Sequence, residues 1–229
     1  MSRKTAKLHK AMTFKTVTKY PILSIVILLV MVGCSPRKPV DRSAYDQERE
    51  VRELKRVTKA ELMAKGEAIG KQGLQAAASA LQTNLKNAIT NKGVAGAISF
   101  CNLNASGIVA PIEDSLGVTI TRVTDKTRNP ADSLTASDKE IWEAYSYAAP
   151  DTPQLMELNE ETYVMTKAIK IPSGLCLNCH GKVGETIAAE NYSLIKELYP
   201  DDNATGYQVG DLRGMWKITI PKKSVVARM

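Results

Sequence analysis

The clearest chemistry in the sequence lies in five consecutive positions. Cys176-Leu177-Asn178-Cys179-His180 sets two thiols three positions apart, with an imidazole directly after the second. Thiols at that spacing can reach the two vinyl groups on one edge of a porphyrin, and the adjacent imidazole can lie beneath the iron. In an exported protein this is the attachment pattern of a c-type haem. Three other chemistries use similar residues. A dithiol redox pair suits C-x-x-C, but such pairs sit at a helix start after a strand, and Pro172-Ser173-Gly174 favours a loop here. Cys101, Cys176, Cys179 and His180 would count to four zinc ligands, yet sequence neighbours such as Cys179 and His180 rarely converge on one tetrahedral ion. A plain structural disulfide is the third alternative. One covalent haem c is the expectation, because the pentapeptide coincides with an export signal.

That signal opens the chain. Arg3, Lys4, Lys7, Lys10, Lys15 and Lys19 precede an apolar run from Pro21 to Gly33. The run is about a dozen residues, whereas a membrane-spanning helix needs about twenty. Met31-Val32-Gly33-Cys34-Ser35 then resembles a bacterial lipobox, which would make Cys34 the lipidated first residue of the mature chain. The alternative is a retained anchor with Cys34 merely apolar. Ser35, not being Asp, points to the outer membrane, so the expected location is the cell envelope, periplasm-facing and held on the lipid bilayer through Cys34. The chain of 229 residues carries a formal charge of +7, with 31 basic and 24 acidic residues. Six of the basic residues lie in the signal and no acid does, so the remainder is nearly neutral. The basic balance therefore does not indicate nucleic acid as a partner.

The residues left over bear on a second axial ligand. The only histidine besides His180 is His9, inside the signal, so two histidines from one mature chain are excluded. Cys101 is the one thiol not assigned to lipid or haem. It is either a small buried hydrophobe on a helix or a thiolate ligand. Met63, Met156, Met165, Met215 and Met229 read as packing residues. Arg128 and Arg213 could pair with haem propionates, or be ordinary solvated charges in turns. Tyr192 and Tyr207 could reach a propionate, or be half-buried aromatics.

The elements that must position these groups are legible from pattern. Residues 35–50 are polar, with Pro36 and Pro39, and read as a tether. Domain boundaries follow as 1–33 for the signal, 34–59 for the tether and start of a helix, and 60–229 for the cofactor domain. A helical pattern starts near Arg49, and Leu74, Ala77, Ala78, Leu81, Leu85, Ala88 and Ile89 form its apolar stripe. Asn91-Lys92-Gly93 punctuates it. A second helix runs from Val94 past Ala105, with Ala97, Ile98, Cys101 and Ala105 on one face. Strands are predicted at 118–123, 155–158, 162–171 and 215–220. Ser137 and Glu140 form a capping box for a short helix bearing Ile141, Trp142 and Tyr145. Helices first, then strands mixed with helices, indicate an α+β fold with an antiparallel sheet.

Phe100-Cys101-Asn102-Leu103-Asn104-Ala105, Thr127-Arg128-Asn129-Pro130, Cys176-Leu177-Asn178-Cys179-His180-Gly181 and Gly206-Tyr207-Gln208-Val209-Gly210-Asp211-Leu212-Arg213-Gly214 occur in that order. The ordered set resembles a family of exported c-type haem domains described as PAS-like haem sensors. The resemblance covers roughly residues 60–221. It implies a PAS-like antiparallel sheet with N-terminal helices and a c-type haem bound. Carried over by position, it also implies His180 as the proximal and Cys101 as the distal ligand.

On that footing the expected function is a redox or gas sensor in which Cys101 leaves the iron and its helix shifts. No output domain follows residue 221, so an unidentified signalling or redox protein is the expected partner. The alternative is a low-potential electron-transfer cytochrome. An enzyme ranks last: the one mature His is committed to iron, no general base accompanies the motif, and Gly210–Gly214 lacks the context of a phosphate loop.

Overall fold

The computed structural model describes residues 42–43, 45–46 and 57–229, the side chains of Leu103 and Asn104 excepted. The signal, the lipobox and Cys34 lie outside the described residues. Thr58 starts the first long helix, α1 (Lys59–Leu116), through a capping box: its hydroxyl accepts from the Glu61 N–H, and the Glu61 carboxylate accepts from the Thr58 N–H. Gly93 breaks the helix at φ 69 and ψ −176, where Asn91-Lys92-Gly93 places the punctuation. The second segment continues to Leu116, and Gly117 closes it in the left-handed conformation at φ 62. Among the described residues no single helix is long and apolar enough to cross a membrane.

Four strands follow: β1 (Thr119–Val123), β2 (Gln154–Asn159), β3 (Thr162–Lys170) and β4 (Leu212–Pro221). They form one antiparallel sheet in the order β1-β4-β3-β2. Between β1 and β2 lie a 3-10 turn (Pro130–Asp132) and helix α2 (Ala136–Ala148). Between β3 and β4 lie α3 (Gly174–His180) and α4 (Ala189–Leu198), and α5 (Lys222–Val226) follows β4. This is an α+β fold with an N-terminal helix against an antiparallel sheet.

Alternation along the strands splits the core in two. One face turns Tyr163, Met165, Ile218 and Ile220 onto Ile69, Leu74, Ala77, Val109 and Leu116 of α1. The other turns Val123 and Met215 onto Trp142 and Tyr145 of α2. Met165 and Met215 are thus fully buried sheet residues. Close approach of α1 to the sheet depends on Gly70: a Cβ there would stand 2.8 Å from Met165 Cε and 2.9 Å from Ile220 Cδ1.

Several expectations change. The C-x-x-C-H residues lie on a helix, α3, and not in a loop; Ser173 is its N-cap. The motif therefore does sit at a helix start after a strand, and the loop argument against a dithiol pair falls. The cap of α2 is Thr135 with Asp138, not Ser137 with Glu140; the Asp138 carboxylate accepts from the Thr135 N–H at 2.9 Å and from its hydroxyl at 2.6 Å. Strand β4 begins at Leu212, which takes Arg213 and Gly214 out of the turn. Helices α4 and α5 have no counterpart in the sequence reading. Half of the residues of α4 are apolar but only Ile195 is fully buried, and five residues are too few for α5 to show a period.

Candidate functional site

Segments from several parts of the chain converge on α3. A third apolar cluster joins Ile98 and Val94 of α1, Ile195, Tyr192, Leu194 and Leu198 of α4, Ile187, and Cys179 itself. Val94, Ile98 and Cys101 share one helical face, so this packing brings Cys101 to the motif helix. Asn102, the next residue, donates to the Leu198 carbonyl at 3.4 Å. Cys101, Cys176 and Cys179 are all free thiols, each half-buried. Burial pushes the Cys101 thiol up, while the charges of Arg122 and Arg128 pull it back. Burial also raises Cys179; Arg128 opposes this, and the nearby Cys101 and Cys176 add to it. Among the described residues no three His, Cys, Asp or Glu side chains are grouped to hold a bare metal ion.

His180 is oriented from behind. Its Nδ1 lies 2.8 Å from the Ala204 carbonyl, an arrangement that requires a proton on Nδ1. Arg213 Nε also points at Nδ1, at 3.2 Å. Both contacts cannot hold at once, because an Nδ1 that donates has no lone pair to accept with. The shorter contact, to a carbonyl that can only accept, fixes the proton on Nδ1 and leaves the lone pair on Nε2. Burial, then the charges of Arg213 and Arg128, hold the imidazole well below its ordinary range, with Ala204 pulling the other way. His180 is therefore neutral at pH 7, the form a metal takes. The backbone is tied as well: Tyr207 N–H donates to the His180 carbonyl at 3.0 Å, and Gly206 N–H to Gly181 at 2.7 Å.

Neither arginine is a solvated turn residue. Arg128 donates from Nε to Asp202 at 2.9 Å and from Nη2 to the Cys179 carbonyl at 2.6 Å. Arg213 owes its direction to a break in register: β3 and β4 pair Ile169 with Gly214 and Lys170 with Leu212, so Arg213 is the extra residue of a bulge. Bulges re-aim side chains in this way. Its guanidinium lies 5.5 Å from the Tyr207 ring, and Lys126 Nζ lies 4.5 Å from the same ring. The Tyr207 hydroxyl is buried beside Thr124 and Arg213, neither of which reaches it in good hydrogen-bond geometry. Tyr192 packs in the apolar cluster around Cys179. The structure thus brings Cys101, Cys176, Cys179, His180, Arg128, Arg213 and Tyr207 into one neighbourhood. It adds Arg122, Lys126, Asp202 and Ala204, for which the sequence carries no separable signal, since each matters only through a distant partner.

Residues 42–221, which contain every one of these groups, match the family described as Tll0287-like. The chain belongs to the Tll0287-like family. A solved structure, the crystal structure of the cyanobacterial heme-protein Tll0287, is similar to it: 30% identity over 50% of this chain and 71% of that chain, with a TM-score of 0.41. No curated protein matches it. The Tll0287-like match covers both the helix of Cys101 and the strand of Arg213, so the site described above falls wholly within the shared region.

Proposed function

We propose that this chain is an exported c-type haem protein. The observation that carries the reading is the pairing of the C-x-x-C-H helix with a His180 whose Nδ1–H is held by Ala204, so that Nε2 keeps its lone pair free to ligate. A neutral imidazole with its second nitrogen on a carbonyl is the usual preparation of a metal-ligating histidine. The residues fit the group: Cys176 and Cys179 would hold it by thioethers, and His180 and Cys101 would be the side chains that ligate its iron. Arg128, Arg213 and Tyr207 line the same neighbourhood, and the buried Tyr207 hydroxyl, which has no well-formed hydrogen bond within the protein, could donate to a propionate. Bound there, the haem supplies one-electron chemistry, and a thiolate ligand favours its oxidised form. Membership of the family, one of whose members, the cyanobacterial Tll0287, is a heme-protein, supports the cofactor.

The function we assign is a redox or gas sensor whose exchangeable ligand is Cys101. His180 is tied through Nδ1 and through its own carbonyl. Cys101 lies on a segment that begins at the break of Gly93, where a Cβ would meet nothing within 4 Å. The contrast between the tied His180 and the segment after Gly93 supports Cys101 as the ligand that would leave. The chain would sit on the periplasmic face of the outer membrane through a lipidated Cys34 and signal to a separate protein. The second reading, a low-potential electron carrier, draws on Leu175 and Val183, exposed apolar residues on and just after the motif helix. Potentiometry followed by electronic spectra separates them: a reversible one-electron couple with unchanged ligation supports the carrier, and a change of axial ligand on reduction supports the sensor.

A further inference from the structure

Asp202 belongs to the segment between α4 and β4, where Pro200-Asp201-Asp202-Asn203 reads as an ordinary polar turn. Its side chain is wholly removed from solvent. Oδ1 accepts from Arg128 Nε at 2.9 Å and from the Ala204 N–H at 3.1 Å. Oδ2 is buried with no hydrogen-bond partner. A half-satisfied buried carboxylate is costly, and a turn alone does not call for one. Both partners of Oδ1 lead to His180. Arg128 carries the connection to the Cys179 carbonyl, the backbone immediately before His180. The Ala204 residue carries it to the ring: Asp202 holds its N–H, and its carbonyl takes the Nδ1–H of His180.

We infer that Asp202 is the positioning residue that selects the Nδ1–H tautomer of His180 and so leaves the lone pair on Nε2. The inference rests on the reading of His180 as a haem ligand. Arg213 Nε, 3.2 Å from Nδ1, competes for the opposite tautomer. The outcome depends on whether the Ala204 carbonyl stays in place as an acceptor. Asp202 pins the residue that bears that carbonyl. It also balances the charge of Arg128, so that the guanidinium can lie against the carbonyl end of the motif helix at 14% side-chain exposure.

The test uses the full chain, prepared without haem and labelled with nitrogen-15 histidine. Ring nitrogen shifts distinguish the two tautomers, and His9→Gln assigns the other histidine. Wild type is expected to show Nδ1–H at His180. Asp202→Ala is expected to lose that single tautomer, and Asp202→Asn, which keeps an oxygen for the Ala204 N–H, to recover part of it. Where Asp202→Ala does not fold, Asp202→Asn alone decides, by a smaller displacement in the same direction. An Nε2–H wild type, or identical shifts in wild type and the folded variants, overturns the inference. With haem loaded, loss of the anion is expected to raise the reduction potential; an unchanged potential overturns a role of Asp202 toward the cofactor. Because the tautomer readout needs no haem, failure of the cofactor reading shows separately, as a chain with the tautomer effect and no covalent haem.

Discussion

The Arg128 guanidinium donates to the main-chain carbonyl of Cys179 across 2.6 Å, tying the loop before the 3-10 turn to the end of the motif helix. The same side chain neutralises Asp202, which is fully buried. Arg128→Ala would strand that carboxylate, and removing one partner of a buried pair typically costs about 3 kcal/mol. Urea denaturation of the haem-free chain checks this. Unchanged stability would show that Arg128 contributes nothing before a cofactor is present.

The two thiols of α3 are assigned to thioether bonds. Cys176→Ala combined with Cys179→Ala is expected to abolish haem that survives a denaturing gel. Haem staining of the gel reads this directly, and a retained stain contradicts the assignment.

The α2 cap has a pH signature. Burial alone would raise the Asp138 carboxyl, but its bonds to Lys217, at 2.7 Å, and to Thr135 outweigh that and lower it. A carboxyl lowered on folding contributes stability that is fully present above its unfolded value and is lost as pH falls through its folded value. The denaturation midpoint should therefore decline below pH of about 4. Asp138→Asn should flatten that decline; an identical acid profile would contradict the role given to the pair.

Gly70→Ala sets two effects against each other. Alanine gains about 1 kcal/mol in a helix over glycine. Its Cβ would stand within 3 Å of Met165 and Ile220, both fully buried, and overpacking costs about 1–3 kcal/mol. The variant is expected to be the less stable one. A rise in Tm would show that α1 has room to move off the sheet.

The parts of this fold that were readable in advance are those with local causes. The break at Gly93, the strand at Thr119–Val123 and the two strands on either side of residues 159–161 follow from periodicity and turn residues. The capping box of α2 was displaced by two positions because Ser137 and Glu140 satisfy the same local pattern as Thr135 and Asp138; burial of Asp138 against Lys217 decides between them. The C-x-x-C-H residues were legible as chemistry but misplaced as a loop, since Pro172, Ser173 and Gly174 mark the start of a helix as well as they mark a turn. Asp202 and Arg122 were silent. Their roles depend on partners that lie far away in sequence, 74 residues for Asp202 and Arg128, and no local pattern records them. Arg213 was found as a charge, but its aim comes from a bulge that only the pairing of β3 with β4 reveals.

The most direct test of the central claim is low-temperature EPR of the oxidised, haem-loaded chain beside its Cys101→Ala variant. The account predicts a low-spin signal with the narrow g-spread of thiolate ligation in wild type, and its loss in the variant with covalent haem retained. Identical signals from the two proteins, or a thioether-like spectrum in wild type, would take Cys101 off the iron and contradict the sensor assignment.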